Sequence, residues 1–296
     1  MRASTRMTGL FLAAGLVLGT LSEAGARPLD EIRRSGELRL CVATSNPPDG
    51  VVSPEGCTGY CEFTGLVRDL SDAFAKTLGV STRFWVSSWD EFFQNADGVT
   101  VKEAVYTPEL FVAERCDMIA SPLVALDWRL LKMDMTCFVP SRMVIVVPKD
   151  RAGDYAGIED LAGKTVAVEQ SMSLHSWIED QNATVLAADP VEISFRDYKD
   201  SIAAVDLGEV DFTVVAILDA LWQTRHQAEN AVVAFAVGPV DEGCWGYPKG
   251  ADDIATEIAA FFADQRGDAD SDLNRIWTEY FGYSFFEFLR IVSAVR

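Results

Sequence analysis

Two short segments of this chain repeat one pattern, and each lies in a different half of the sequence. Residues 116–121 read Cys-Asp-Met-Ile-Ala-Ser, and residues 210–215 read Val-Asp-Phe-Thr-Val-Val. In both, a helix-like stretch leads into one aspartate and then a short apolar run, which is typical of the step from a helix into a parallel strand. In open α/β sheets the ligand crevice lies beyond the carboxyl ends of the strands. The repeat therefore predicts two sheets facing each other, with binding in the cleft between them.

The first 26 residues have the features of an export signal. Arg2 and Arg6 give a positive start, residues 9–21 are mostly apolar, and residues 24–26 match the small-x-small cleavage pattern. The apolar run is too short to span a bilayer comfortably. We therefore expect cleavage after Ala26 and a periplasmic mature chain.

The length and charge of the mature chain limit its class. About 270 residues exceed what one hydrophobic core usually serves, so two lobes are expected. The formal net charge of the full sequence is −20, which argues against nucleic acid or an anionic membrane surface as a partner. The two histidines, His175 and His226, are isolated and no Cys-x-x-Cys occurs, so we expect neither a metal site nor a cofactor.

Hydrophobic periodicity and turn residues predict alternating helices and strands along the mature chain. The clearest helix spans residues 66–78 and ends at Gly79. Other helices are predicted at residues 29–34, 173–180, 200–207, 218–226, 252–263 and 272–280. Strands are predicted at residues 38–42, 82–86, 117–121, 143–147, 165–168, 211–215 and 232–235. Residues 44–59, rich in Pro, Gly and Ser, are predicted to be a loop.

A set of short motifs follows the order found in one known family. They are Ser-Gly-Glu-Leu-Arg-Leu at 35–40, Gly-Leu-Val-Arg-Asp-Leu at 65–70, residues 117–129 followed by Met-Asp-Met-Thr at 133–136, Asp-Leu-Ala-Gly-Lys-Thr-Val-Ala-Val at 160–168, Gly-Tyr-Pro-Lys at 246–249 and Ile-Trp-Thr-Glu-Tyr-Phe-Gly at 276–282. Together they resemble the extracytoplasmic (periplasmic) solute-binding protein family 3, the substrate-binding type of polar amino acid ABC transporters. The resemblance covers nearly the whole mature chain.

The resemblance implies a two-lobed α/β fold of the periplasmic binding protein-like II type. Two mixed, mostly parallel sheets would be joined by a two-strand hinge. The first lobe would comprise residues 29–142 and the return segment 245–296, and the second lobe residues 143–244. Closure of the lobes over a ligand would be the expected motion.

Six cysteines in an exported chain predict disulfides, and six allow fifteen connectivities, among which the sequence alone does not choose. The implied fold favours three pairs. The first lies in one Gly-rich loop, the second joins two neighbouring strands, and the third lies near the two crossings between the lobes. These pairs are Cys57–Cys61, Cys41–Cys116 and Cys137–Cys244.

The resemblance also implies a site for the ligand carboxylate. The family grips it with an arginine eight residues after a serine at a strand end, and Ser121 and Arg129 keep that interval. A guanidinium offers a carboxylate a planar pair of donors. Ser171 and Ser173 lie where the family has a hydroxyl-rich turn at a helix start, whose N–H groups can bind an anion. A surface arginine paired with Asp127, and ordinary N-cap serines, are the alternative interpretations.

The acid that pairs with a ligand ammonium in the family is missing here, because its position falls on Ala216. Three carboxylates could replace it: Asp219, Asp49 and Glu62. The first loop of the family usually supplies an aromatic lid, although packing in the core is the commoner fate of such rings. The candidates for that lid are Tyr60, Trp85 and Trp89.

The sequence therefore predicts a periplasmic solute-binding protein that captures a small, carboxylate-bearing, amino-acid-like solute for the membrane permease of an ABC-type transporter. Residues 38–41 and 115–117 are also similar to the accessory binding proteins of periplasmic quinoprotein dehydrogenases. In that alternative the aromatic tail at residues 281–289 would dock a dehydrogenase, although we favour its packing on the first lobe. Dehydratases share the implied fold. Because Ser171 and His175 have no visible orienting acid, we expect no enzyme.

Overall fold

The structure is a computed structural model that describes residues 27–43, 47–170 and 172–294. The predicted signal segment lies outside the described residues. The helices are α1 (Leu29–Ser35), α2 (Leu66–Leu78), α3 (Glu109–Val112), α4 (Asp127–Leu130), α5 (Ser173–Ala183), α6 (Ser201–Asp206), α7 (Ile217–His226), α8 (Asp252–Gly267), α9 (Asp272–Phe281) and α10 (Phe285–Ala294). The strands are β1 (Glu37–Ala43), β2 (Val51–Ser53), β3 (Gly59–Tyr60), β4 (Glu62–Thr64), β5 (Ser81–Ser87), β6 (Met118–Val124), β7 (Asp134–Pro148), β8 (Thr165–Val168), β9 (Glu192–Phe195), β10 (Phe212–Ala216) and β11 (Ala231–Tyr247).

Each helix and strand predicted from the sequence is present, and α2 and β8 have the predicted bounds. The prediction was wrong for residues 44–59, because β2 lies inside this supposed loop and pairs antiparallel with β4, with Val51 opposite Thr64. It also missed β9 and recovered only part of the long strands β7 and β11.

The described strands form one nine-stranded sheet, in the order β3-β5-β1-β6-β11-β7-β10-β8-β9, and a separate β2-β4 pair. On one side β1 is parallel to β5 and β6, and on the other β8 is parallel to β9 and β10. The antiparallel pair of β7 and β11 lies between them. The predicted two-lobed fold is confirmed, with its two sheets continuous through this central pair. The lobe boundaries stay a prediction.

The two aspartates of the repeated segments, Asp117 and Asp211, make the same hydrogen bonds in the two halves of the sheet. Asp117 Oδ2 accepts the N–H of Arg39 at 2.8 Å, and Asp211 Oδ2 accepts the N–H of Thr165 at 2.9 Å. Each aspartate N–H is donated back to the carbonyl of the same residue. One arginine completes each set: Arg27 for Asp117 and Arg151 for Asp211. The repeat therefore fixes the start of one strand against its parallel neighbour, twice.

A hydrophobic core runs along one face of the sheet from β5 to β8 and includes the C-terminal helices. Phe285 and Phe288 in α10 are 1% and 0% exposed, and α10 contacts both α9 and β7. The favoured prediction, that the aromatic tail packs on the fold, is confirmed for these two rings. Among the described helices, none is long and apolar enough to cross a membrane.

The three favoured disulfides are confirmed: Cys41–Cys116, Cys57–Cys61 and Cys137–Cys244. The first ties β1 to the segment that enters β6. The second closes a short loop beside the edge strand β3. The third joins β7 directly to β11, where the two cysteines are opposite each other in the ladder.

Candidate functional site

The carboxyl ends of β1, β5 and β6 lie at one edge of the sheet, and polar groups gather there. Ser121 in β6 is buried, and its hydroxyl accepts the N–H of Ala43, the last residue of β1, at 2.9 Å. Ser87, opposite Ala43 at the end of β5, is 1% exposed and its hydroxyl has no hydrogen-bond partner. Ser121 thus holds the strand ends together, while Ser87 leaves a polar group unsatisfied at this edge.

Arg129 lies in the short helix α4, just beyond the end of β6. Its Nη1 donates to the carbonyl oxygen of Val124 at 3.0 Å, and its Nε is buried without a hydrogen-bond partner. It forms no ion pair with any described residue, so the predicted alternative of a pair with Asp127 is not seen. Burial lowers the pKa of the guanidinium to about 10, because the charged form loses solvation. An anion placed beside this group would offset that loss.

Two aromatic rings lie close to the Arg129 guanidinium. Its Cζ lies 4.7 Å from the Phe93 ring centroid and 5.2 Å from that of Trp128, which is within the range of a cation–π contact. Trp89 reaches the same cluster through Phe92, with ring centroids 5.5 Å apart. The structure therefore brings two of the predicted site residues, Arg129 and Trp89, into one aromatic cluster.

Lys132 stabilises the main chain around Arg129 and is only 1% exposed. Its ammonium donates to three main-chain carbonyl oxygens at 3.0–3.1 Å, those of Lys102, Ala104 and Trp128. Its own N–H donates to the carbonyl of Arg129 at 2.9 Å. Lys132 therefore fastens α4 to the segment between β5 and β6 and fixes the main chain on both sides of Arg129.

A second charged group involves Asp219, in the first turn of α7, which is 8% exposed. The hydroxyl of Tyr198 donates to Asp219 Oδ2 at 2.7 Å and accepts the N–H of Ala216 at 3.1 Å. Burial raises the pKa of Asp219 to about 6. Asp219, one of the three carboxylates predicted as a replacement for the acid missing at position 216, thus lies in an environment that disfavours its charge.

Asp49 is the second carboxylate of this group, although it comes from the turn after β1. The N–H of Val67 donates to the Asp49 carbonyl at 3.0 Å, so the first turn of α2 holds this turn in place. Burial and the nearby charge of Asp219 raise the pKa of Asp49 well above its ordinary value. Two buried carboxylates whose charges repel cannot both ionise at low cost in free energy, so the pair favours a retained proton or a bound cation. Within the described residues, no three His, Cys, Asp or Glu side chains are grouped to hold a metal ion.

Tyr60 lies on the edge strand β3 and is 40% exposed. Its ring packs 3.7 Å from the Arg83 guanidinium and edge-on to Trp85 at 5.0 Å. Trp85 is half-buried beside the same core cluster as Trp89. Glu62 is exposed on β4. The structure does not join Tyr60 or Glu62 to Arg129 or to the Asp49–Asp219 pair.

The helix start that follows β8 differs from the prediction. Met172 occupies the N-cap position of α5 and makes no side-chain cap hydrogen bond. Ser173 is therefore the first helical residue, and the prediction that it caps the helix was wrong. The other candidate, Ser171, lies outside the described residues.

Four contributors to these groups were missed by sequence reasoning: Tyr198, Lys132, Phe93 and Trp128. Tyr198 follows the carboxyl end of β9 by three residues, so recognition of that strand would have placed it at the edge where ligands bind. Lys132 gave no signal, because an isolated lysine in a loop is usually solvated.

Comparisons with known proteins give the fold. No family model matches the sequence, and no curated protein matches it. The solved structure of the ancestral amino acid-binding protein AncCDT-1, a precursor of cyclohexadienyl dehydratase, has a TM-score of 0.65 and 20% identity and covers 86% of this chain and 99% of that chain. A polar amino acid ABC uptake transporter substrate-binding protein from Streptococcus thermophilus has a TM-score of 0.61 and 14% identity, with 86% and 90% covered. A solute receptor for L-cysteine from Neisseria gonorrhoeae has a TM-score of 0.62 and 15% identity, with 86% and 93% covered.

These similarities extend over nearly all of each compared structure. At such identities they show a shared fold, which is that of the amino acid-binding and substrate-binding proteins just named. The resemblance inferred from the motifs is confirmed at that level.

Proposed function

We propose that this chain is a solute-binding protein for a small, polar, amino-acid-like solute that carries a carboxylate. The observation that carries the proposal is Arg129, whose guanidinium is largely withdrawn from water, has an unsatisfied Nε and pairs with no described carboxylate. A ligand carboxylate would supply the missing partner through charge-assisted hydrogen bonds. The solute would lie between the proposed lobes, residues 29–142 with 245–296 and residues 143–244.

Asp49 and Asp219, the acid pair, are the proposed binding partners for the other end of the ligand. Asp49 and Asp219 belong to different proposed lobes. Burial raises the pKa of both carboxyls, and the charge of Asp219 raises the pKa of Asp49 further. An ammonium group between them would remove the repulsion and favour both charges. Tyr198 holds Asp219 in position for this contact. We therefore place Arg129 and the acid pair at the two ends of one zwitterionic solute.

The remaining parts of the proposal concern the route of the solute. Export with cleavage after Ala26 would place the protein in the periplasm, where it would deliver the solute to an ABC-type permease. The named role of the Streptococcus thermophilus protein of the same fold supports this partner. We propose no enzyme activity and no cofactor. Nothing in the described fold supports the dehydrogenase alternative, since Phe285 and Phe288, two of the rings considered for docking, are buried in the fold.

The proposal is tested by ligand binding to the wild-type protein and to Arg129→Ala. A thermal-shift screen with L-amino acids, dicarboxylates and amines identifies a binder, because a ligand stabilises the folded state. Calorimetry then measures affinity. Arg129→Ala should weaken binding by about 2 kcal/mol, roughly 30-fold, through loss of a charge-assisted pair.

Arg115→Ala is the matched control. Its guanidinium also lies over a tryptophan ring, 4.8 Å from the Trp85 centroid, but it is exposed. Its removal should leave the affinity unchanged. Equal affinities for Arg129→Ala and the wild type would remove Arg129 from the site and overturn the proposal.

A further inference from the structure

The two halves of the sheet are joined by one pair of strands. β6 pairs with the second part of β11, between Gly243 and Gly246. β10 pairs with the second part of β7, from Met143 to Val146. In the described sheet, any rotation of one half against the other must therefore pass through the β7–β11 ladder.

The widest interruption of this ladder between the halves lies between Val237 and Asp241, and a smaller register shift lies between Gly243 and Cys244, where the disulfide bridges the two strands. Val237 is opposite Met143, but the next pair is Asp241 with Ser141. Four steps along β11 thus match two along β7, so β11 carries two extra residues. The three residues between these pairs, 238–240, are exposed and have no partner in the strand ladder. Gly238 has a φ of +67°, and its carbonyl accepts a hydrogen bond from the Arg142 side chain at 3.3 Å. A bulge of this kind bends a strand and has fewer bonds to break than the flanking ladder.

On the β6 side of this interruption, the ladder between residues 134–139 and 243–247 is held more firmly than residues 238–240. The Cys137–Cys244 disulfide bridges opposite residues there, and Cys244 is fully buried. Beyond it the hydroxyls of Thr136 and Tyr247 are 2.9 Å apart in a hydrogen bond. The Phe138 ring, next to the disulfide, stacks on Phe262 at 4.1 Å. This part of the pair is therefore cross-linked across the ladder and packed into the core.

We infer that the Cys137–Cys244 disulfide sets the position and range of the hinge. It makes the β6 side of the crossing pair a rigid bracket, so that rotation of the two halves is confined to residues 238–241 and the facing residues 141–142. Without the cross-link, bending would spread along both strands and the range of relative orientations would grow. The inference concerns the motion alone and does not depend on which solute binds.

Another contact between the halves is a rival source of rigidity. Arg225 in α7 donates to the carbonyl of Phe281 at the end of α9. A Cβ at Gly282 would lie 2.7 Å from the Arg225 guanidinium, so the contact is close. Arg225→Ala removes it and leaves the disulfide intact.

The test measures distances between the halves in the full, oxidised chain without ligand. Spin labels are attached at Lys76→Cys in α2 and Glu179→Cys in α5, both exposed positions. Pulsed electron–electron double resonance gives the distance distribution. Combined Cys137→Ala and Cys244→Ala substitutions should widen it roughly twofold, because hinge range grows with the length of flexible strand.

The matched control is the double replacement Cys57→Ala with Cys61→Ala, which removes a disulfide remote from the crossing and should leave the width unchanged. A width equal to wild type in the Cys137/Cys244 variant overturns the inference. So does a twofold widening in Arg225→Ala, because the α7–α9 contact would then set the range.

A second variant decides the matter if the Cys137/Cys244 variant does not fold. Ser141 and Asp241 are opposite each other at the interruption, so Ser141→Cys with Asp241→Cys places a new cross-link across the proposed hinge. Oxidation of this variant should narrow the distribution roughly twofold, since it extends the rigid bracket to the bulge. No narrowing on oxidation means that the hinge lies elsewhere.

Discussion

Lys132, Asp219 and Arg129 are three of the charged side chains that the described fold withdraws from water, and each is compensated differently. All three protons of the Lys132 ammonium are used on carbonyl oxygens. Asp219 accepts a tyrosine hydroxyl. Of the five N–H groups of the Arg129 guanidinium, one donates to a described acceptor. Lys132 is therefore a structural cation with all its donors satisfied, whereas Arg129 still has donors available for a partner.

The raised pKa of Asp219 has a consequence for stability. An acid whose pKa is higher in the folded than in the unfolded state holds its proton longer when folded, so its contribution to stability falls as pH rises. The loss begins near the unfolded value of 3.8 and is complete above about 6. Asp219→Asn should therefore raise the free energy of unfolding by up to about 3 kcal/mol at pH 7.5 and change it little at pH 4.

Urea unfolding at both pH values measures this effect. Asp69→Asn is the control. Asp69 in α2 also accepts a tyrosine hydroxyl, that of Tyr280 in α9, at 2.7 Å. Asparagine keeps an acceptor at both positions. A difference between Asp219→Asn and the wild type that stays constant with pH would show that its carboxylate does not titrate as described.

Part of this site could be predicted from the sequence, and part could not. The interval between Ser121 and Arg129 singled out the cation, and the absent acid at Ala216 directed attention to Asp219. The partners that give these groups their properties are distant in sequence. Asp49 and Asp219 are brought together by the turn after β1 and the start of α7, which no local pattern records.

At the scale of elements, the segment between β5 and β6 is the least regular part of the described fold. Tyr106 ties it together, because its hydroxyl donates to the Phe93 carbonyl at 2.7 Å and accepts the N–H of Val101 at 3.1 Å. Lys132 then joins it to α4. Long loops of this kind are usually functional, and this one carries the Phe93 ring that lies against Arg129.

Lys132→Met should loosen this segment. Methionine fills the space but leaves three carbonyl oxygens without their donor, which costs about 2–4 kcal/mol in the free energy of unfolding. Hydrogen exchange should become faster between residues 99 and 106, while α2 stays protected. Lys102→Met is the control, because Lys102 is exposed and its side chain is not needed for the carbonyl contact. Unchanged exchange in Lys132→Met would mean that the loop is held by its other contacts.

Elements with a clear period were predicted well, and those without one were not. The apolar spacing of α2 and its closing glycine gave both of its ends. Only part of each long crossing strand was recognised, since Pro140 and the Gly238-Pro239 pair interrupt β7 and β11 and look like ends. β9 has only two apolar residues in four and is recognised as a strand through its pairing with β8.

At the scale of the whole molecule, the core of one face is shared by both halves of the sheet. It includes Val144 and Val215 on one side, Leu40 on the other, and Phe288 from the C-terminal helix. The halves therefore should not unfold independently. The sequence predicted two lobes from chain length, but length says nothing about whether their cores merge.

Phe288→Ala tests this shared core. Phe288 is 0% exposed, whereas Phe286, two residues earlier in the same helix, is 43% exposed. Phe288→Ala should lower the free energy of unfolding by about 3–5 kcal/mol, and Phe286→Ala by less than about 1 kcal/mol. Both should unfold in one transition when followed by tryptophan fluorescence and circular dichroism. Two separate transitions, or equal effects of the two substitutions, would contradict a shared core.

The ion pair of Arg27 determines how the protein would be oriented if it were attached to a surface for binding measurements. Arg27 pairs with Asp117 at 2.6 Å at the amino-terminal edge of β1 and β6, whereas Arg129 follows the carboxyl-terminal end of β6. A biotin or surface linker attached ahead of Arg27 would therefore immobilise the molecule by the edge remote from Arg129. Molecules mounted in this way would present the proposed capture face to the flowing sample.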